Sequence, residues 1–198
     1  MNLEFELKID GIYQLKVPFM SVYTSVFLID AMGEWILVDT ATTADDVDGI
    51  IIPAIKKLGV DPCEIKKVVI THDHSDHAGG LERLRHYAPN IETIRTAGEI
   101  ASTITAYPLP GHTRDFIGVF DNRTGTLISG DGLQGAGVDK YRAYAESREA
   151  YYETLERVRA DGRIKNLVFS HAYEPWFKDS IFGRESVLGA LIECEKYI

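Results

Sequence analysis

The chain has 198 residues, of which 45% are hydrophobic and 26% charged, and its formal net charge at pH 7 is −9. This composition is that of an ordinary globular protein and argues against intrinsic disorder. The length suits one compact domain over residues 1–198. Because proteins that bind a phosphate backbone normally cluster Lys and Arg, the negative charge weighs against a nucleic-acid partner.

The chain also lacks the sequence signs of export and of membrane insertion. Its first residues are partly acidic where a secretory signal would carry lysines and an apolar run, and no stretch approaches the roughly 18 apolar residues of a membrane span. We therefore expect a cytoplasmic protein that does not associate with a membrane. The two cysteines, Cys63 and Cys194, are too few and too far apart for a disulfide framework or a thiolate metal site.

The first half of the chain predicts a strand meander followed by a helix and a strand. The segments GIYQLKV, SVYTSVFLID and EWILVD are rich in β-branched and aromatic residues, and Gly or Asp separates them. From Thr43 the apolar spacing changes to three and four, which predicts a helix with Thr43 and Asp46 as a capping pair and Gly59 as its stop. Pro53 falls inside this helix and predicts a kink or a late start. IKKVVITH then predicts a buried strand that leads directly to His72.

The second half repeats this alternation. Helices are predicted in LERLRHY, from about Ser147 to Ala160, and in GRESVLGALIECEKYI, and strands in TAYPLPG, FIGVFD, GTLISGD and IKNLVFSH. The segment from Ile91 to Thr105 alternates only weakly. Two sheets packed face to face with helices outside, a mixed α/β (α+β) fold, are the expected architecture.

The stretch THDHSDHAGG, residues 71–80, contains three of the six histidines of the chain within six consecutive positions. Burying such polar side chains without partners costs about 1–3 kcal/mol each, so the cluster needs partners. In a loop that leaves a strand, alternate residues can converge on one point while the next two face a neighbouring point, as two adjacent metal ions would require. Imidazole beside carboxylate suits a borderline metal such as Zn²⁺ or Fe²⁺.

Three more candidate ligands stand at the ends of other predicted strands. His112 follows a strand in LPGHTRD, Asp131 ends a strand in LISGDGLQG, and His171 ends one in LVFSHAYEP. Open sheets commonly build their sites at such positions. His86, on a predicted helix beside Arg85, is interpreted as an ordinary surface residue.

The series HDHSDH, PGHT, SGD and SHA, preceded by LVDT with Asp39, resembles the metallo-β-lactamase-fold hydrolase superfamily over about residues 12–172. The resemblance implies a four-layer αββα sandwich with a two-metal site in the cleft between the sheet edges. Carried over by position, it implies His72, His74 and His112 on one metal, Asp76, His77 and His171 on the other, and Asp131 bridging both. It also implies that Asp39 supports the ligating imidazoles from behind.

The ligand set narrows the expected activity. Zinc enzymes that hydrolyse β-lactam antibiotics often use a cysteine where this chain has Asp131, so a true β-lactamase is disfavoured. The set is similar to that of glyoxalase II-like thioesterases, lactonases and phosphodiesterases, whereas flavodiiron proteins commonly have Glu at the position of His74. We expect a hydrolase with two divalent ions, Zn²⁺ or alternatively Fe or Mn, acting on a small-molecule ester, thioester, lactone or phosphoester.

Asp76 and Asp131 are the predicted catalytic residues. Such a centre activates a shared water and stabilises the developing oxyanion, and Asp76 is expected to accept a proton from the nucleophile. Tyr141, Arg142 and Tyr144 are the candidate substrate-binding residues. For the tyrosines, packing under the following helix is the alternative interpretation.

Two further interpretations of the function stay open. One is a non-haem iron oxygenase or oxidoreductase on the same fold, and the other is a ligand-binding or sensory protein that retains its metals. Only 34 residues separate His77 from His112, so the site is expected to be more open or to be completed by another subunit in a homo-oligomer. With 27 residues after His171, we expect no room for the extra helical domain by which glyoxalase II enzymes recognise a glutathione thioester.

Overall fold

A computed structural model describes residues 3–133, 145–172 and 178–196. The chain divides into two compact units, Met1–Arg95 and Thr96–Ile198. Each unit contains one six-stranded sheet and its own hydrophobic core. The predicted mixed α/β fold with two sheets is confirmed, whereas a single domain over residues 1–198 stays a prediction.

The first unit forms a sheet whose strands lie side by side in chain order. The strands are β1 (Glu6–Ile9), β2 (Ile12–Phe19), β3 (Val22–Asp30), β4 (Trp35–Val38), β5 (Ile65–Val69) and β6 (Glu92–Ile94). The first four pair antiparallel, which confirms the predicted meander. After β4 the direction of pairing changes, and β4, β5 and β6 are parallel.

The helices of the first unit are α1 (Ala44–Asp46), a π-helical turn (Val47–Ile51), α2 (Ile52–Lys57), a 3₁₀ turn (Pro62–Glu64), α3 (Ser75–Ala78) and α4 (Leu81–Tyr87). The predicted capping pair is present, because the Thr43 side chain accepts from the Asp46 N–H and the Asp46 carboxylate accepts from the Thr43 N–H. Pro53 is the second residue of α2, directly after the π-helical turn. The helical segment already begins at Ala44, so the proline follows an interruption of the α-helical hydrogen bonding and does not mark a late start. Gly59 follows the last turn with a φ of +86°, as expected of a helix stop.

The described residues of the second unit form the strands β7 (Gly98–Ala101), β8 (Ile104–Pro108), β9 (Ile117–Asp121), β10 (Thr126–Ile128), β11 (Asn166–Val168) and β12 (Ser180–Phe182), and the long helices α5 (Arg148–Ala160) and α6 (Arg184–Lys196). The strand order is β12-β11-β10-β9-β8-β7. Only the β10–β11 pair is parallel among the strand pairs of this described sheet. In the described part of the chain, no helix is long and apolar enough to cross a membrane.

In each unit a pair of parallel strands places polar residues at the same end of the sheet, beyond the C-terminal ends of the strands. In the first unit Val38 of β4 pairs with Val69 of β5. Asp39 and the segment leading to His72 therefore leave the sheet at the same end, beyond the C-terminal ends of these strands. In the second unit β10 and β11 are paired in the same way. Asp131 and His171 each lie three residues beyond the end of their strand.

Candidate metal site

Close backbone contact fixes the position of α3, the short helix that carries Asp76 and His77. The carbonyl oxygen of His77 accepts hydrogen bonds from the backbone N–H of Thr40 at 2.7 Å and from its hydroxyl at 3.0 Å. A Cβ atom on Gly79 would lie 2.0 Å from the carbonyl oxygen of Thr42. The glycine that follows α3 is therefore required for the approach of the two backbones.

The carboxylate of Asp39 orients the histidine side chains of the first unit through hydrogen bonds. Its side chain is fully buried, and the residue has a φ of +62°. It accepts hydrogen bonds from the Thr71 N–H at 2.9 Å and the Thr71 hydroxyl at 2.9 Å, and it lies 2.7 Å from Nδ1 of His77. Because an ionised carboxylate only accepts, Nδ1 of His77 carries the hydrogen, and Nε2 is the atom that can ligate an ion.

The same carboxylate orients His72 through Thr71. The Thr71 hydroxyl lies 3.1 Å from Nδ1 of His72. Since this hydroxyl donates its one hydrogen to Asp39, Nδ1 of His72 donates to the hydroxyl, which again assigns Nε2 as the ligating atom. The ring of His72 has its centroid 4.4 Å from that of His74 and 4.2 Å from that of His77.

Asp76 completes the donor set of the first unit. Its side-chain oxygen Oδ2 lies 3.3 Å from Nε2 of His77. The same oxygen accepts a hydrogen bond of 2.7 Å from the hydroxyl of Thr24, a buried residue of β3. Asp76 is itself 7% exposed, so its carboxyl group lies in a largely buried environment.

In the second unit, Asp131 faces two histidines with different oxygens. Its Oδ1 lies 3.2 Å from Nε2 of His171, and its Oδ2 lies 3.7 Å from Nε2 of His112. All three side chains are buried. One carboxylate that presents each oxygen to a different imidazole has the arrangement that a bridging ligand needs.

The loop that carries His112 is held against α5. The hydroxyl of Thr154 donates to the carbonyl oxygen of Pro110 at 2.7 Å. The next residue, Gly111, has a φ of +143°, and a Cβ atom there would lie 2.6 Å from Cα of Tyr151. The Pro-Gly turn packs so closely against α5 that no side chain has room at Gly111.

The donors of each unit fit a divalent ion of borderline softness. Zinc bonds to histidine nitrogen and carboxylate oxygen are about 2.0–2.2 Å long, so two ligands of one tetrahedral ion lie roughly 3.3–3.6 Å apart. The separations of 3.3 Å at His77 and Asp76 and of 3.2 and 3.7 Å around Asp131 are close to this range. Imidazole nitrogen with carboxylate oxygen is the donor chemistry that zinc and iron accept.

The predicted site residues fall into three groups. Within the first unit the structure brings together Asp39, His72, His74, Asp76 and His77, and within the second unit His112, Asp131 and His171. Tyr141, Arg142 and Tyr144 lie outside the described residues. His86 is exposed in the last turn of α4, as predicted.

Two residues that contact the donors were not predicted. Thr71 directly precedes the histidine motif, and its position beside Asp39 becomes visible only when β4 and β5 pair. Thr24 stands in a strand whose sequence carries no motif, 52 positions before Asp76.

Comparison with known proteins agrees with this description. The family model of the metallo-beta-lactamase superfamily matches residues 21–99. A hydroxyacylglutathione hydrolase of Pseudomonas fluorescens is 31% identical over 172 residues, which cover 71% of this chain and 66% of that protein. The chain spans between about half and two thirds of the length of the curated relatives it matches.

Solved structures share the fold over almost the whole chain. A metallo-beta-lactamase of Erythrobacter litoralis superposes with a TM-score of 0.72 at 20% sequence identity. The superposition covers 97% of this chain and 96% of that protein. The rubredoxin oxygen:oxidoreductase of Desulfovibrio gigas has a TM-score of 0.71 at 17% identity, with coverages of 98% and 61%. Fold and donor residues together define a mixed α/β protein with histidine and aspartate clusters at its strand ends. The chain belongs to the metallo-β-lactamase superfamily.

Proposed function

We propose that the protein is a metal-dependent hydrolase that binds two divalent ions, Zn²⁺ by preference, and cleaves an ester, thioester, lactone or phosphoester bond of a small molecule. Membership of the superfamily and the curated relatives named hydroxyacylglutathione hydrolase support the hydrolase class. The observation that carries the proposal is the carboxylate of Asp131, whose two oxygens face the Nε2 atoms of His112 and His171. The negative net charge of the chain favours a small molecule over a nucleic acid as the substrate.

The proposed ligands are those that the sequence motifs imply, namely His72, His74 and His112 for one ion, Asp76, His77 and His171 for the other, and Asp131 for both. In each unit the buried donors lie at separations that suit a shared ion.

The residues of the chain would divide the work of hydrolysis. A pair of divalent ions, when bound, supplies Lewis acidity and makes water nucleophilic near neutral pH. Asp39 holds His77 directly, and His72 through Thr71, in the tautomer that presents Nε2. Asp76 accepts a proton from the nucleophile, while Tyr141, Arg142 and Tyr144 are proposed to contact the substrate.

The first test is elemental analysis of protein purified without added metal or chelator, together with turnover of a panel of esters, thioesters, lactones and phosphodiesters. We expect about two zinc ions per chain and cleavage of one substrate class. Iron with O₂ consumption would replace the hydrolase by an oxygenase or oxidoreductase. Full metal occupancy without turnover would favour a binding or sensory protein, and failure to take up any metal would refute a metal centre altogether.

Asp131→Ala tests the bridging role. Since one ligand of each ion is removed, we expect metal content to fall from two ions toward one and turnover to fall by more than about 100-fold, the upper end of the loss seen for residues that only support ligands. His86→Ala is the matched control, because His86 is an exposed histidine on α4. This control should keep both metal content and turnover, and an Asp131→Ala variant that still holds two ions would remove Asp131 from the bridge.

A further inference from the structure

A buried hydroxyl group contacts the carboxylate that is proposed to act as both ligand and base. Thr24 is the third residue of β3 and is 1% exposed. Its hydroxyl donates a hydrogen bond of 2.7 Å to Oδ2 of Asp76. No sequence motif includes Thr24, and the proposed function assigns it no role.

This hydrogen bond reaches the oxygen of Asp76 that faces His77. Oδ2 accepts from Thr24 and also lies 3.3 Å from Nε2 of His77, the atom that Asp39 leaves available as a ligand. Oδ2 therefore stands where a ligand of the same ion as His77 would stand. A hydrogen bond to one oxygen also fixes the rotation of the carboxylate about its last side-chain torsion, which is otherwise broad.

We propose that Thr24 is a positioning residue, which holds Oδ2 of Asp76 in the ligating position. This role rests on the proposed function, because it presumes that an ion binds at Asp76. Residues that support ligands in this way typically change metal affinity or activity by 10- to 100-fold when they are replaced. Thr24 acts through Asp76 and needs no contact with the substrate.

The neighbouring residue provides a matched control. Ser25 is also fully buried on β3, but successive residues of a strand point to opposite faces. Its hydroxyl accepts a hydrogen bond of 2.7 Å from the side-chain nitrogen of Gln14. Loss of this hydroxyl removes a buried hydrogen bond of the same strand without touching Asp76.

The experiment compares the wild type with Thr24→Val, Thr24→Ser and Ser25→Ala. Zinc stoichiometry and dissociation constants are measured by competition with a chromophoric chelator, the ligand field by the visible spectrum of the Co²⁺-loaded protein, and stability by thermal unfolding of the metal-free protein. For Thr24→Val, which keeps the shape and loses the hydroxyl, we expect two ions at saturation, one of them bound about 10-fold or more weakly, and an altered Co²⁺ spectrum. Thr24→Ser should stay within about 2-fold of the wild type, and Ser25→Ala should unfold at a lower temperature with unchanged zinc affinity.

Two results would overturn the role of Thr24. One is a Thr24→Val protein with the zinc affinities and the Co²⁺ spectrum of the wild type. The other is a Thr24→Ser protein that loses as much zinc affinity as Thr24→Val. If Thr24→Val fails to fold, Thr24→Ala takes its place as the variant without a hydroxyl. The wild type's own metal content and turnover test the proposed function separately, since the ratio of variant to wild-type affinity requires only that an ion binds.

Discussion

Asp39→Asn separates the charge of the buried carboxylate from its shape. Asp39 is fully buried and has a φ of +62°, a conformation that Asn tolerates nearly as well as Asp. The substitution therefore adds little backbone strain. It changes the acceptor of three hydrogen bonds, which come from the N–H and hydroxyl of Thr71 and from Nδ1 of His77.

The expected loss follows from these three bonds. Hydrogen bonds to a charged group contribute about 1.5–3 kcal/mol and neutral ones about 0.5–1.5 kcal/mol. The amide has one oxygen, so two donors keep a weaker partner and one faces the NH₂ group. The neutral amide is easier to bury than the carboxylate, which offsets part of the loss. We expect a net destabilisation of about 2 kcal/mol, or a fall in Tm of about 4–8 °C for a chain of this length.

Zinc affinity should fall as well, because the imidazoles of His77 and His72 lose the partner that fixes their tautomers. A loss of about 10- to 100-fold is expected. Thermal unfolding of the metal-free protein and zinc competition measure the two effects. Asp46→Asn is the control, since Asp46 accepts hydrogen bonds in the exposed capping box of α1 and contacts no proposed ligand. An Asp39→Asn protein that binds zinc as tightly as the wild type would refute the orienting role of Asp39.

Two predictions concern the second unit. Gly111→Ala places a Cβ atom 2.6 Å from Cα of Tyr151 at a φ of +143°, so we expect a loss of about 2–4 kcal/mol in the free energy of unfolding. Gly189→Ala on α6, where a Cβ atom meets open space, is the control and should cost no stability. Equal stability of the two variants would contradict the close contact at Gly111. Burial raises the pKa of the Cys194 thiol to about 12 from about 9. The unfolded chain therefore loses this proton first, and stability that is complete below about pH 9 should fall by up to about 1.4 kcal/mol per pH unit between about pH 9 and 12. Urea unfolding at pH 8, 9 and 10 should show this slope in the wild type and its loss in Cys194→Ala, whereas identical slopes would refute it.

The donor residues were predictable from the sequence because each follows a strand with a clear pattern. The short strands before Asp131 and His171 are buried throughout and end in two apolar residues each, and a charged or ligating side chain three residues beyond such a strand stands out. Thr24 had no such signal. Its hydrogen bond joins two residues 52 positions apart, and a threonine in a strand is as common as any other β-branched residue.

The weakly alternating segment from Ile91 to Thr105 was hard to predict for a different physical reason. It contains β6 and β7, each at the edge of its sheet. Edge strands of this kind bury few side chains: β6 has no fully buried residue, and β7 has one. Without a buried face, selection for alternating apolar residues is weak, and the period of two that marks a strand is lost.

A polar residue after a strand is informative only together with the direction of that strand. Asn122 directly follows β9, as Asp39 follows β4, yet β9 runs antiparallel to β10. The C-terminal end of β9 therefore lies at the opposite end of the sheet from the C-terminal end of β10, the strand that leads to Asp131. There the Asn122 amide donates to the carbonyl oxygen of Thr103 in a turn. The direction in which strands pair cannot be read from the sequence. Parallel pairing brings polar residues that are distant in sequence together as neighbouring donors at one end of each sheet.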